Sequence, residues 1–420
     1  MESSLQLPDH TCLPFRGVEN DDKAFRPLNP ESREIRCVIL LPGSGADPIA
    51  CELVYTSIDK DNTTRVEYVA LSYCWGDVED TVEISLQGPT TKSSDTGQEP
   101  ITAPFRITRH LHSALTALRN ERRQCFWIDA LCINQQDPHE KTHQVQFMGN
   151  IYSSAESVLV WLGPEDEYSR YLLRAWRAHL QPLVYSYDSK TLVDKIYEEL
   201  CKSTHTLWTD LERDEALSEL ALDLDQERLD ETASPDRYKQ ALWVSFDGLF
   251  SRPWWSRIWV VQEVYLAPMD EEGGRKVESR IGDHVLHWKE IMLINMTLLH
   301  IIRLPDDYNP ATVPSWDEIW NRWKFLIFMG EANKQFSLSQ LLKLTSVFHA
   351  SDPRDKLFAL LLLATDTRDC FRQEPLINPD YTKPAKAVFD DLMIFWELNL
   401  KTHEIHFDEG GVVYQYNWLS

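Results

Sequence analysis

The sequence predicts an α/β fold: a mostly parallel sheet flanked by helices, with a helical insertion and a helical C-terminal lobe. Three observations predict it. Apolar runs of strand length alternate with helical periodicity between Arg109 and Pro164, as in sheets covered on both faces. An acidic stretch interrupts that rhythm from about residue 167 to 240. Beyond Trp288 the pattern is helical almost throughout.

At 420 residues the chain exceeds the usual size of one core. The reading divides it into an N-terminal arm (1–30), an α/β domain (31–290) and a helical region (291–420). The arm is polar and proline-containing. Short β-rich runs follow at Ile35–Leu41, Cys51–Ile58, Tyr68–Tyr73 and Thr81–Leu86. Gln87–Pro100 is turn-forming and reads as a loop. Leu111, Leu115 and Leu118 recur at helical intervals, and Cys125–Ile133 (CFWIDALCI) reads as a buried strand. Asp137 is placed to cap a helix that Pro138 opens, carrying Val145, Met148 and Tyr152 inward. Ser157–Leu162 is a further buried strand, stopped by Gly163-Pro164. Asp210–Asp236 holds eleven acidic and two basic residues, with leucines at near-helical spacing. That is a solvated acidic helix within an insertion. Helices are expected at 288–302, 315–329, 337–347, 353–364 and 384–400.

Composition excludes several classes. Sixty-six acidic against 42 basic residues give a net charge of −24, which repels nucleic acid and anionic membranes at long range. A local basic pocket for a small nucleotide remains compatible with that sign. No basic start precedes an apolar run, and no stretch approaches the roughly 20 apolar residues that span a bilayer. The expected compartment is the cytoplasm. Eight cysteines without a CxxC pairing then read as reduced core thiols.

Four clusters are unusual. YVALSYCWGD (Tyr68–Asp77), FWIDALCINQQD (Phe126–Asp137) and SVLVWLGP (Ser157–Pro164) each end an apolar run. Carboxyl ends of parallel strands face one crevice, where ligands bind. Ser72, Tyr73, Trp75, Asp77, Asp129, Asn134 and Gln135 are therefore candidates to converge there, or else to cap helices and loops. In the fourth cluster, SRPWWSRIWVVQEV (Ser251–Val264), a helix from about Trp254 would put Trp255, Trp259 and Glu263 on one face. A carboxylate beside indoles is desolvated and its pKa rises. The alternative is a plain ion pair of Glu263 with Arg257 or Arg252.

His139-Glu140-Lys141-Thr142-His143 fits the HExxH zinc pattern. A third ligand is missing from any recognisable position, with Glu156 and Glu165 the nearby candidates, and the pattern begins in the first turn after a helix-opening proline. No metal is expected, and a zinc hydrolase is the weakest reading. Pro42-Gly43-Ser44-Gly45 lacks the Gly-Lys-Ser/Thr of a P-loop and reads as a turn.

The four clusters, with QVQFMGNIYSSAESVLVWLGP between them, closely resemble the successive signatures of the fungal heterokaryon-incompatibility (HET) domain. ASDPRDKLFAL (Ala350–Leu360) and INPDYTKP (Ile377–Pro384) resemble the region that commonly follows it. The resemblance implies a self/non-self module in which fusion of unlike cells triggers programmed death. A weaker resemblance is to TIR domains, through ALSYCWGD, AESVLVWLGP and Trp259-Val-Val-Gln-Glu263, where Trp precedes a catalytic Glu by four. It implies a flavodoxin-like parallel sheet and cleavage of the nicotinamide–ribose bond of NAD. Glu263 would be the catalytic acid, Trp255 and Trp259 a stacking wall, and Arg257 a diphosphate contact. Ser72, Tyr73, Asp129 and Asn134 would line the crevice. This chain has Val260 where the TIR helix usually has Cys, and a far longer insertion. TIR-like enzymes work after self-association, so self-association and a triggering protein partner are expected. The rival reading is a non-catalytic module that signals by assembly.

Overall fold

The computed structural model describes residues 25–45, 47–59, 65–88, 102–119, 124–181, 235–271, 274–300, 336–367 and 377–402. Its strands are β1 (Glu34–Leu40), β2 (Ala50–Ser57), β3 (Val69–Tyr73), β4 (Thr81–Gln87) and β5 (Thr102–Thr108), then β6 (Gln124–Trp127), β7 (Ser157–Trp161), β8 (Val277–Ile281) and β9 (His284–His287). They form one sheet in the order β5-β4-β2-β1-β6-β3-β7-β8-β9.

The sheet is mixed, which corrects the expectation of a mostly parallel one. β1 runs antiparallel to β2 and β6, β4 to β5, and β8 to β9. Two residues, Gly282 and Asp283, join β8 to β9, far fewer than the dozen or so that a parallel crossover needs. β1 is buried along most of its length because it lies inside the sheet. Double-sided burial thus reports position within a sheet and not strand direction.

Parallel pairing is concentrated in β6-β3-β7-β8, with a second parallel ladder between β2 and β4. Numbered along the chain, the central four have the order 2-1-3-4. β3 lies inside this set, with all five residues buried. The carboxyl ends of β3, β6 and β7 point the same way.

Helices cover the sheet: α1 (Arg109–Leu118), α2 (Asp129–Cys132), α3 (Pro138–Ser154), α4 (Glu167–Ala175), α5 (Pro235–Phe250), α6 (Val260–Tyr265), α7 (Trp288–His300), α8 (Leu338–Leu344), α9 (Asp355–Phe358) and α10 (Ala385–Thr402). α1 buries Leu111, Leu115 and Leu118 as the spacing predicts. Asp137 caps α3, accepting from the backbone N–H groups of His139 and Glu140, with Pro138 in the first turn. The run Cys125–Ile133 is not one strand. It stops at Trp127 and turns into α2, burying Leu131 and Cys132 from a helical turn. Apolar content alone does not separate a short strand from a short buried helix.

The expected acidic helix up to residue 234, the helix at 315–329 and the β-like stretch at 412–418 lie outside the described residues. The described cysteines, Cys37, Cys51, Cys74, Cys125 and Cys132, are free thiols. Asn295, which heads an Asn-Met-Thr sequon, is buried and closed to modification. Among the described residues no helix is long and apolar enough to cross a membrane.

Candidate functional site

The site begins at the carboxyl end of β3. Ser72 is fully buried, and its hydroxyl donates to Glu263 Oε2 in a short hydrogen bond. The same Ser72 oxygen accepts from Trp254 Nε1 at 2.8 Å. Trp254 is held in turn by an aromatic cluster: Trp255 at 4.9 Å and Trp288 at 6.3 Å between ring centroids. Packing therefore fixes the indole that fixes the serine.

Glu263 lies on α6, a helix that begins only at Val260. The segment before it is a 3-10 turn, Pro253–Ser256, followed by extended Arg257. Trp255 thus does not share a helical face with Trp259 and Glu263, because Pro253 sets a separate turn. Trp255 points into the aromatic core, donating to the Leu249 carbonyl at 3.0 Å. It is core and not a stacking wall.

Arg257 joins the acid to the crevice. Its guanidinium donates to the Tyr73 carbonyl and reaches Glu263 Oε1 at 3.5 Å. Its side chain is 19% exposed, whereas that of Glu263 is 2% exposed. Burial pushes the Glu263 carboxyl above its ordinary value, with Arg257 and the Ser72 hydroxyl only partly offsetting it. Burial also works against charge on Arg257, yet Glu263 and Asp129 together keep it a firm cation.

Beside this network lies a cavity of about 460 Å³. Its walls come from the loop after β3 (Cys74, Trp75, Gly76), from Asp129 and Gln135, from Lys141, Val145 and Met148 of α3, and from Pro253 and Ser256 to Trp259. His349 to Asp352, Asp355 and Tyr381 close the other side. Trp75 donates to Asp129 Oδ2 at 2.7 Å, and Gln135 donates to the Asp129 carbonyl at 3.0 Å. Gly76 turns the chain with a φ of 75°, and a Cβ there would meet His110 at 2.9 Å.

The structure thus brings Ser72, Tyr73, Trp75, Asp129, Gln135, Arg257, Trp259 and Glu263 into one region. Ser72 and Glu263 sit behind Arg257 and do not line the cavity themselves. Two other candidates fall away. Asp77 is exposed and caps its own turn, accepting from the Glu79 N–H at 2.9 Å. Asn134 caps the next turn through Gln136 and faces a void of about 30 Å³ beyond Trp75.

The zinc pattern is absorbed by structure. Glu140 forms an ion pair with Arg36, 2.5 Å between Oε1 and the guanidinium, and accepts from the Asn134 N–H at 2.7 Å. That carboxylate has no freedom to serve as a base. Glu165, one candidate third ligand, is engaged by Arg170 and His284. Among the described residues no group of three His, Cys, Asp or Glu side chains is arranged to hold a metal.

The family model described as heterokaryon incompatibility protein (HET) matches residues 68–263. Over those residues the chain is similar to the HET family. Heterokaryon incompatibility protein 6, OR allele, of Neurospora crassa is 28% identical over 385 residues, covering 84% of this chain and 50% of that protein. The chain spans about half the length of that curated relative. No solved structure matches it.

The HET match begins on the strand that carries Ser72 and ends at Glu263. Spacing analysis found both ends of this network. It missed Lys141, His349, Asp352, Asp355 and Tyr381, which line the same cavity. Four of these stand after the HET match. For Asp352, Asp355 and Tyr381 the only signal was their position in the motifs Ala350–Leu360 and Ile377–Pro384, which carry no recognisable spacing for chemistry, and His349 lies just outside them.

Proposed function

We propose that this chain is a heterokaryon-incompatibility, cell-death module whose crevice cleaves the nicotinamide–ribose bond of NAD. The observation that carries the reading is the Ser72–Glu263–Arg257 network at the end of a central parallel strand, adjoining an aromatic cavity. The name of the Neurospora relative supports the incompatibility role.

In this reading the nicotinamide stacks against Trp259 or Trp75. The bond between C1′ and the pyridinium nitrogen breaks, and its electron pair neutralises the departing ring. Positive charge moves onto the ribose, where the Glu263 carboxylate stabilises it. Water adds to C1′ and releases a proton. Arg257 covers Glu263 in the resting chain, so substrate must move it. The diphosphate of NAD is the natural attractor for that guanidinium, and its departure uncovers the acid. Self-association and a triggering protein would act on the same step, and the cytoplasm supplies the substrate.

Incubation of the full chain with NAD tests this. Nicotinamide release is expected, rising more steeply than linearly with protein concentration. Glu263→Gln should cut it by about a hundredfold or more. No release at high protein concentration, or equal release from Glu263→Gln, overturns the reading.

One observation favours a second reading, a non-catalytic module acting by assembly: Glu263 is fully paired and 2% exposed. Expression in a fungal host separates the two. Toxicity that survives Glu263→Ala combined with Trp259→Ala supports assembly alone.

A further inference from the structure

Two carboxylates line the cavity, each beside aromatic side chains. Asp129, just past β6, accepts from the Trp75 indole at 2.7 Å, with the Tyr73 phenol nearby. Asp355, opening α9, accepts from the Tyr381 phenol at 2.5 Å, with the Trp259 indole nearby. In each case an indole and a phenol stand next to the carboxylate, the Trp75 N–H donating to Asp129 and the Tyr381 O–H to Asp355. Both indole rings also belong to the cavity wall. Cations act on the pair from further away, Arg257 on Asp129 and Lys141 on Asp355. The Lys141 ammonium is itself seated over the Tyr381 ring, 4.4 Å from its centroid.

Glu140, by contrast, is matched by a cation in direct contact, Arg36. A carboxylate accepts about four hydrogen bonds. The Trp75 indole and the Ala130 N–H at 2.8 Å fill two positions on Asp129, and the Tyr381 phenol fills one on Asp355. Each carboxylate is therefore rigid, flanked by a flat aromatic surface, and still able to accept. Hydroxyl groups next to a planar base present the complement of that arrangement, and ribose is the sugar that carries them in a nucleotide.

We infer that Asp129 and Asp355 are the groups that read ribose hydroxyls of a nucleotide in this cavity. The binding site is therefore completed by His349–Asp352, Asp355 and Tyr381, beyond the HET match. The inference rests on the nucleotide reading of the crevice and adds to it the residues that recognise the sugar. Asp355 and Tyr381 then determine specificity, in a part of the chain that motif spacing does not mark.

The test uses the full chain carrying Glu263→Gln, so that NAD is not consumed, and measures affinity by titration calorimetry. The probes are NAD, ADP and 2′,3′-dideoxy-ADP. Adding Asp355→Asn or Tyr381→Phe should weaken NAD binding by about tenfold or more. The dideoxy probe should bind about tenfold more weakly than ADP to the parent, and that gap should shrink in Asp355→Asn. Tyr381→Phe keeps the ring and removes only the donor, so an effect there with an unchanged melting curve is not a folding defect. Parent-like affinity in both variants, or equal binding of the two ADP probes, overturns the inference. Hydroxyl-dependent binding without nicotinamide release from the wild-type chain would sink the hydrolase reading and leave this inference standing. No binding of NAD or ADP at all sinks this inference together with the nucleotide reading.

Discussion

Arg36 illustrates how a buried charge is made tolerable. Its side chain is 1% exposed, yet it donates to both Glu140 oxygens, to the Cys132 and Arg26 carbonyls and to the Tyr55 hydroxyl. Removing one partner leaves an uncompensated interior charge. Glu140→Ala should therefore cost about 3–5 kcal/mol in urea unfolding. Glu263 stands in the opposite balance. Burial raises its folded pKa above the ordinary 4.5, so the folded state takes up a proton more readily than the unfolded chain. Its contribution to stability is complete below that value and is lost as pH rises through the raised one. Urea unfolding across pH should show a shallower decline in Glu263→Gln than in the wild type. If release of nicotinamide needs the ionised acid, its acidic limb should stand above the usual carboxylate range and vanish in that variant.

At the scale of elements, α3 shows what sequence periodicity captures and what it omits. The cap at Asp137, the opening proline and the inward residues Val145, Met148 and Tyr152 are all legible. Gly149 is not. A Cβ there would lie 2.6 Å from Leu266 Cδ1 and 2.7 Å from Leu362 Cδ1, so the helix approaches α6 and the chain after α9 closely at this one turn. Gly149→Ala should destabilise by about 1–3 kcal/mol through overpacking, against the gain expected from helix propensity alone. Thermal unfolding of the two proteins checks the sign. The segment around Pro253 teaches the reverse lesson. Three residues spaced by four suggested one helical face, but a proline-led 3-10 turn and an extended residue intervene. Trp255 goes to the core and Trp259 to the cavity.

Across the whole molecule, the site depends on chain segments far apart in sequence. Arg354 pairs with Asp352 at 2.6 Å and donates to the Tyr381 and Lys383 carbonyls at 2.9 and 2.7 Å. It thereby pins the segment that carries Tyr381 against α9. Arg354→Ala should lower stability by about 2 kcal/mol and weaken nucleotide binding along with it. If calorimetry finds affinity unchanged in a folded variant, the far wall of the cavity does not contribute.

The sequence by itself determined the α/β alternation, the strands β3 and β7, the capped helix α3 and the clusters around Ser72, Asp129 and Glu263. These are local matters: periodicity, capping and turn chemistry act over a few residues, and motif order acts along one line. Tertiary structure alone decided strand direction, since an interior strand is apolar whichever way it runs. It also decided that Asp77 and Asn134 serve turns, that Glu140 answers Arg36, and that Asp355 and Tyr381 meet Asp129 across a cavity. Those outcomes depend on which surfaces come to face one another, and no spacing along the chain records that.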